Sequence, residues 1–303
     1  IQNSLYGVDI EESAVEIAKL RLWLSLVVEE DDYEKIEALP NLDFKIVQGN
    51  SLLETFENYK LGDTIFEARE KSTFEDYIGN KSTEEQLKEL AKIQSIFFKT
   101  VSHNKKKDLK EKIENKIKEI FKININQRQN FSNDVNEKVK KDLDNLIDEN
   151  ATRNFFPWKI FFSEVFTYNN GFDLVIGNPP YVSVKDVNKY KWKKNLENNF
   201  GFLDDLYNHF AFLAFLIAKE DGIISYITSD TFMTLQTKTL LRKKILDNKI
   251  LNFIQTPKAF SAMVDTCIFI VKKNEQKENY DFDFLDLRNS ELIKDNDTFI
   301  SEK

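Results

Sequence analysis

The stretch Phe172-Asp173-Leu174-Val175-Ile176-Gly177-Asn178-Pro179-Pro180-Tyr181 decides how this chain is read. Phe172 to Ile176 is a short apolar run, as expected of a buried strand. Asn178-Pro179-Pro180-Tyr181 follows as a rigid loop at the strand's carboxyl end. Its two prolines fix two φ angles and remove two backbone donors. In open α/β sheets, ligands bind just beyond the carboxyl ends of the strands. Such a loop suits an amino-group ligand: the Asn178 side chain and nearby carbonyls accept hydrogen bonds, and Tyr181 offers an aromatic face. A proline-stiffened turn accounts equally well for the Asn-Pro-Pro part alone.

Working outward, Leu5 to Ile10 is expected to be a strand ending in Asp9, and Glu11 to Glu29 a helix. Ala14, Ile17, Ala18, Leu22 and Leu24 give that helix a broad apolar face. Phe44 to Val47 reads as a second strand, leading into Gln48-Gly49-Asn50-Ser51-Leu52. Leu203 to Lys219 and Leu235 to Leu246 read as helices. Gly222 to Thr228, Ile250 to Gln255 and Thr266 to Val271 read as strands. Strands alternating with helices predict an α/β fold whose sheet is largely parallel and covered on both faces.

Residues 57–151 break the pattern. Glu84 to Lys99, Lys105 to Phe121 and Asn133 to Asp148 read as charged amphipathic helices, so the segment is expected to be a helical insertion. Residues 1–56 and 152–275 are then two parts of one sheet domain, and 276–303 begins a following module, with Asp281 to Leu287 a candidate strand. From Lys99 to Lys122, nine lysines meet four acids. A solvated helix of alternating charge explains this better than a phosphate-contacting arm.

A hydrophobic content of 41% is enough for a core, and 8 Gly with 5 Pro argue against a disordered chain. Cys267 is the sole cysteine, so no disulfide framework exists and a cytoplasmic setting is expected. It lies in an apolar run, where a buried thiol is the commoner reading than a nucleophile. Two histidines far apart and one cysteine form no zinc-type cluster. No stretch is long and apolar enough to cross a membrane, and no signal peptide is visible. A net charge of −8 argues against non-specific coating of nucleic acid, although a local basic face suffices for binding.

Three further positions carry chemistry. Asp9, with Ile10 beside it, ends a strand, where a carboxylate can hold both ribose hydroxyls of a nucleotide cofactor; it can equally cap the next helix. Asn50, followed by Ser51 and Leu52, can meet a cofactor's adenine, with Leu52 or Leu53 packed on the ring; a simple turn explains it as well. Phe260, just before the last strand, is a candidate second aromatic wall opposite Tyr181, or simply a core residue in a chain with 26 Phe.

Together these segments resemble the gamma-class N6-adenine DNA methyltransferases, notably those of type IIG restriction-modification enzymes. The resemblance runs through Tyr6-Gly7-Val8-Asp9, Gln48-Gly49-Asn50-Ser51-Leu52, Asn178-Pro179-Pro180-Tyr181 and Asp205-Leu206-Tyr207. It continues through Gly222 to Thr228, Lys258-Ala259-Phe260 and Val264 to Ile270. It implies a Rossmann-like methyltransferase sheet and S-adenosylmethionine as cofactor. It further implies double-stranded DNA as partner and restriction or specificity modules in the same polypeptide of a bacterial cytoplasm. Asp9, Ile10, Asn50, Ser51, Leu52, Asn178, Asp205 and Tyr207 would then lie at the cofactor, with Asp205 and Tyr207 shaping the pocket. Asn178, Pro179, Pro180 and Tyr181 would hold an adenine flipped out of the duplex, since a stacked base cannot reach such a pocket, and Phe260 would flank it.

The family's first strand and its glycine-rich loop should precede Asp9, yet only four residues stand before Leu5 and no G-x-G occurs. The chain is therefore expected to be a fragment, inactive on its own. The competing readings are a protein glutamine methyltransferase, which shares the tetrapeptide, and a non-catalytic DNA-binding fragment on the same fold.

Overall fold

The computed structural model describes residues 4–28, 42–56, 59–60, 65–66, 74–100, 102–127, 152–256, 265–275 and 280–288. The helix expected at Asn133 to Asp148 and the Phe260 site lie outside them. The chain forms two compact units, residues 1–169 and 170–303.

In the first unit, β1 (Gly7–Asp9) pairs in parallel with β2 (Ile46–Gln48), Val8 opposite Val47. Helix α1 (Glu12–Val28) follows β1 and packs Val15 against Leu42 and Ile46, with Leu5, Ala18 and Leu22 at the margin. Spacings of three and four residues put Val15, Ala18 and Leu22 on one stripe of the helix. Ile17, Leu20 and Leu24, on other faces, are exposed. A short antiparallel ribbon, β3 (Thr55–Phe56) with β4 (Tyr59–Lys60), comes before the long helices α2 (Phe74–Lys99) and α3 (His103–Gln127). Leu87, Leu90, Ala91 and Phe97 are the buried stripe of α2, and Ile113, Ile117, Ile120 and Phe121 that of α3. This is helical periodicity with a dry face, not a polar rod.

The sequence gives little local warning of α4 (Trp158–Phe161) and α5 (Ser163–Asn169), short helices packed around Phe155, Phe156 and Phe162. Gln94 of α2 stitches them down. Its amide nitrogen donates to the Phe161 carbonyl, and its oxygen accepts from the Ser163 hydroxyl at 2.9 Å. Lys45, 1% exposed, lies between the rings of Tyr6 and Phe98, with Glu164 at 3.6 Å. Burial pulls its pKa down to about 8.

The second unit holds a five-stranded sheet in the order β5-β6-β8-β7-β9. Its strands are β5 (Phe172–Gly177), β6 (Ala218–Ser229), β7 (Asn248–Thr256), β8 (Thr266–Glu275) and β9 (Asp283–Asp286). β5 runs parallel to β6, and β7 to β9, but β8 is antiparallel to both β6 and β7. The sheet is therefore mixed rather than largely parallel. β7 and β8 pair antiparallel, with Thr256 opposite Thr266. Between β5 and β6 lie α6 (Val184–Val187), α7 (Lys193–Phe200) and the apolar helix α8 (Leu206–Ile217). Helix α9 (Thr239–Leu246) precedes β7. The core joins Ala211 and Phe215 of α8 to Ile224, Phe253, Phe269 and Val271 of the sheet and to Leu241 and Ile245 of α9.

Candidate active site

The loop 178–181 leaves β5 where the sequence places it. At Gly177 a Cβ would stand 3.0 Å from the buried Tyr226 ring, so that any side chain there would have to push the ring aside. Pro179 is buried and anchors the loop, whereas Asn178 and Pro180 are exposed. Among the described residues the Asn178 side chain has no hydrogen-bond partner. Its carboxamide is thus presented to solvent on a backbone that cannot swivel.

Tyr181 is half-buried beside the loop. Its hydroxyl donates to the Ile227 carbonyl at 3.4 Å, and its ring meets Tyr207 edge-on at 6.4 Å. Burial raises the pKa of both phenols, so both stay neutral and act as ring surfaces and hydroxyl donors. The Tyr207 hydroxyl shares a hydrogen bond with Thr231 at 3.1 Å.

Asp205 braces the chain that follows. One carboxylate oxygen accepts from the Val184 N–H at 2.7 Å, and the other lies 2.7 Å from the Lys238 ammonium. The Leu206 N–H donates to the Val182 carbonyl. Lys238, 4% exposed, also pairs with Asp204. The neighbouring Asp204 N–H donates to His209 Nε2 at 3.2 Å. Burial lowers the His209 pKa to about 4, so the ring is neutral and fit to accept that bond. Asp205 thus shapes the loop from behind, with both oxygens engaged inside the chain. Lys238 was missed by sequence reading: nothing local distinguishes it from the other lysines.

In the first unit, β1 and β2 bring Asp9 and Asn50 to the same carboxyl end, where the Gly49 N–H donates to the Asp9 carbonyl at 2.8 Å. Gly49 has no room for a side chain, since a Cβ would lie 2.9 Å from the Phe155 carbonyl and the Phe156 ring. Asp9 Oδ1 accepts from the Glu11 N–H at 2.8 Å, a local turn just ahead of α1 rather than a cap on a helical N–H. Its second oxygen has no partner among the described residues. Asn50 Oδ1 accepts from the Leu52 N–H at 3.2 Å, which is the turn reading, and its amide nitrogen is left without a partner there. The Ile10 carbonyl accepts from Gln48, and the Ser51 carbonyl from the Trp158 indole. Leu52 and Leu53 are buried in the unit's own packing.

A cleft of about 420 Å³ in the same unit is lined by Glu12, Lys19, Asp43, Lys110, Glu114 and Arg153, among others, and by none of the expected site residues. Among the described residues no group of three His, Cys, Asp or Glu is placed to hold a metal ion. Among them, too, no helix is long and apolar enough to cross a membrane. Cys267 is buried and its thiol is pushed up to about 12 by desolvation, which leaves it protonated and inert.

Comparison with known proteins then places the chain. Residues 3–260 match the profile of the Eco57I restriction-modification methylase. The chain belongs to that family. A Methanocaldococcus jannaschii protein, whose name describes a type II restriction enzyme and methyltransferase, is 30% identical over 91% of this chain. The match takes in 26% of that protein, so the chain spans about a quarter of its length. Overlap with solved structures is partial. The methyltransferase subunit of a type I restriction-modification system from Streptococcus thermophilus aligns over 50% of this chain and 33% of its own, at 19% identity and a TM-score of 0.34. The EcoKI M protein aligns over 58% and 41%, at 12% identity and a TM-score of 0.31. Membership in the Eco57I family rests on the sequence matches.

Proposed function

We propose that this chain carries the target-adenine loop and cofactor-edge residues of an S-adenosylmethionine-dependent DNA methyltransferase that modifies the exocyclic N6 of adenine. The observation that carries the reading is the exposed, unengaged Asn178 carboxamide on a proline-fixed loop at the carboxyl end of β5. Membership in the Eco57I restriction-modification methylase family supports it, as does the name of the M. jannaschii relative.

The donor set fits the cofactor. Asp9 offers a free carboxylate oxygen to a ribose hydroxyl, and Asn50 a free amide nitrogen to an adenine ring. When bound, S-adenosylmethionine supplies a methyl group activated by a sulfonium. The N6 lone pair of adenine is conjugated with its ring and is a poor nucleophile. Asn178 Oδ1 and the Pro179 carbonyl accept its two amino hydrogens and draw the nitrogen toward tetrahedral geometry. The Tyr181 ring stacks on the flipped base. Positioning and electrostatics then carry the step. With the cofactor bound, its methyl carbon would pass from sulfur to N6, and the surplus amino proton would leave to solvent. Double-stranded DNA is the partner, with restriction or specificity modules in the same polypeptide.

Labelled cofactor given to the complete polypeptide, together with duplex DNA and with a cell protein extract, tests this. Label should enter the duplex, and Asn178→Ala should abolish the transfer. Label entering only protein would favour a glutamine amide as acceptor and refute the proposal.

A further inference from the structure

Between Ser183 and Leu196 the chain carries five lysines, Lys185, Lys189, Lys191, Lys193 and Lys194, against the single acid Asp186, in a protein whose net charge is −8. All five are exposed. Lys189 pairs with Asp186 at 2.6 Å. The other four have no carboxylate within ion-pair distance among the described residues. The basic helix α3 differs, because its charges are partly answered: Lys110 pairs with Asp43, and Lys116 with Glu89 and Glu119.

The segment is also held still. Val187 and Leu196 are fully buried beneath it. Tyr190 and Trp192 stack at 4.5 Å with an interplanar angle of 16°, bracing the turn that holds Lys191. The Val184 N–H is fixed on Asp205, and the segment begins three residues after Tyr181 in the same unit. Four ammonium groups outside ion-pair distance of any described carboxylate, on a rigid support and close in sequence to an exposed amide acceptor, match a polyanion that must be registered against that acceptor. An acidic chain requires such a local face to approach DNA at all.

We propose that residues 185–194 form the phosphate-contacting surface that seats duplex DNA beside the Asn178 loop, with Lys185, Lys191, Lys193 and Lys194 each neutralising backbone charge. This rests on the DNA-methyltransferase reading and names the surface that reading leaves open. Each phosphate contact contributes about −0.9 to the slope of log affinity against log salt. The four together therefore account for a slope of about −3 to −4.

The test compares variants of the complete polypeptide, with a fluorescent duplex oligonucleotide titrated between about 50 and 200 mM salt. Replacing Lys185, Lys191, Lys193 and Lys194 by Gln should make the slope shallower by about 3 to 4. The paired changes Lys185→Gln with Lys191→Gln, and Lys193→Gln with Lys194→Gln, should each remove about half of that, and serve should the fourfold variant fail to fold. Arg at the four positions should preserve the slope. Gln at Lys99, Lys105, Lys107 and Lys112, exposed positions of the long helices, should leave it unchanged. An unchanged slope in the first set, or equal loss in both sets, overturns the proposal while leaving the methyltransferase reading intact. A wild-type protein that binds no duplex sinks both.

Discussion

Lys238→Met is the perturbation that best probes how the loop is held. Lys238 is 4% exposed, and its ammonium is shared by Asp204 and Asp205. Methionine keeps most of the length and removes the charge. Two carboxylates then face each other without a cation, and Asp205 still has to accept the Val184 N–H. Breaking a buried pair by removing one partner costs about 3–5 kcal/mol. The two aspartates keep about a fifth of their side-chain surface exposed, so water softens the loss. The lower end, about 3 kcal/mol, is expected. Urea unfolding of the wild type and the variant measures it. Adding Asp204→Asn to Lys238→Met removes one stranded charge and should restore part of the loss, a coupling that a mere packing defect would not show. Hydrogen exchange should also quicken at the Val184 amide. A cost below about 1 kcal/mol, with Val184 still protected, would refute the idea that this cation braces the loop.

Three further outcomes follow from the geometry. Asp9→Ala should weaken cofactor binding by calorimetry in the complete polypeptide and also lower stability by about 1 kcal/mol through the lost bond to the Glu11 N–H; an unchanged dissociation constant removes its ribose role. Gly49→Ala should destabilise by about 1–3 kcal/mol in thermal or urea unfolding, because the Phe155 carbonyl that its Cβ meets is backbone and cannot rotate away. Lys45→Met tests linkage. The folded pKa of about 8 lies below the ordinary 10.5, so between those values the unfolded chain holds more protons and wild-type stability gains with rising pH. Urea unfolding at pH 7.5 and 9.5 should show that gain in the wild type relative to Lys45→Met, and parallel pH profiles would refute it.

Much of this fold is legible because apolar runs announce strands without reference to partners. Phe172 to Gly177, Ile250 to Gln255 and Thr266 to Val271 each sit in a strand, but the first is not the buried strand its apolar run predicts, since Leu174 and Ile176 are exposed. Strand direction is another matter. That β8 runs against β6 and β7 is decided by which edge the returning chain meets, and no residue within β8 encodes it. β6 begins at Ala218, earlier than Gly222, because the chain passes directly from α8 into pairing with Phe172 and absorbs the mismatch in an irregular register and a left-handed Asp221. The loop 178–181 is legible because proline acts locally. Its brace is not, since Asp205 and Lys238 are 33 residues apart and become partners only by folding. Sequence reading passes over the lysines of 185–194, because what holds them in place is the burial of Val187 and Leu196 beneath them. Asp9 and Asn50 show the converse: each closes a local turn and still keeps one polar atom without a partner among the described residues.

The most direct measurement is mass spectrometry of nucleosides from duplex DNA incubated with the complete polypeptide and S-adenosylmethionine. N6-methyl-2′-deoxyadenosine should appear with the wild type and vanish with Asn178→Ala, while calorimetry finds the cofactor bound as before. Methylation confined to deoxycytidine, or N6-methyl-2′-deoxyadenosine undiminished without the Asn178 carboxamide, would contradict the account.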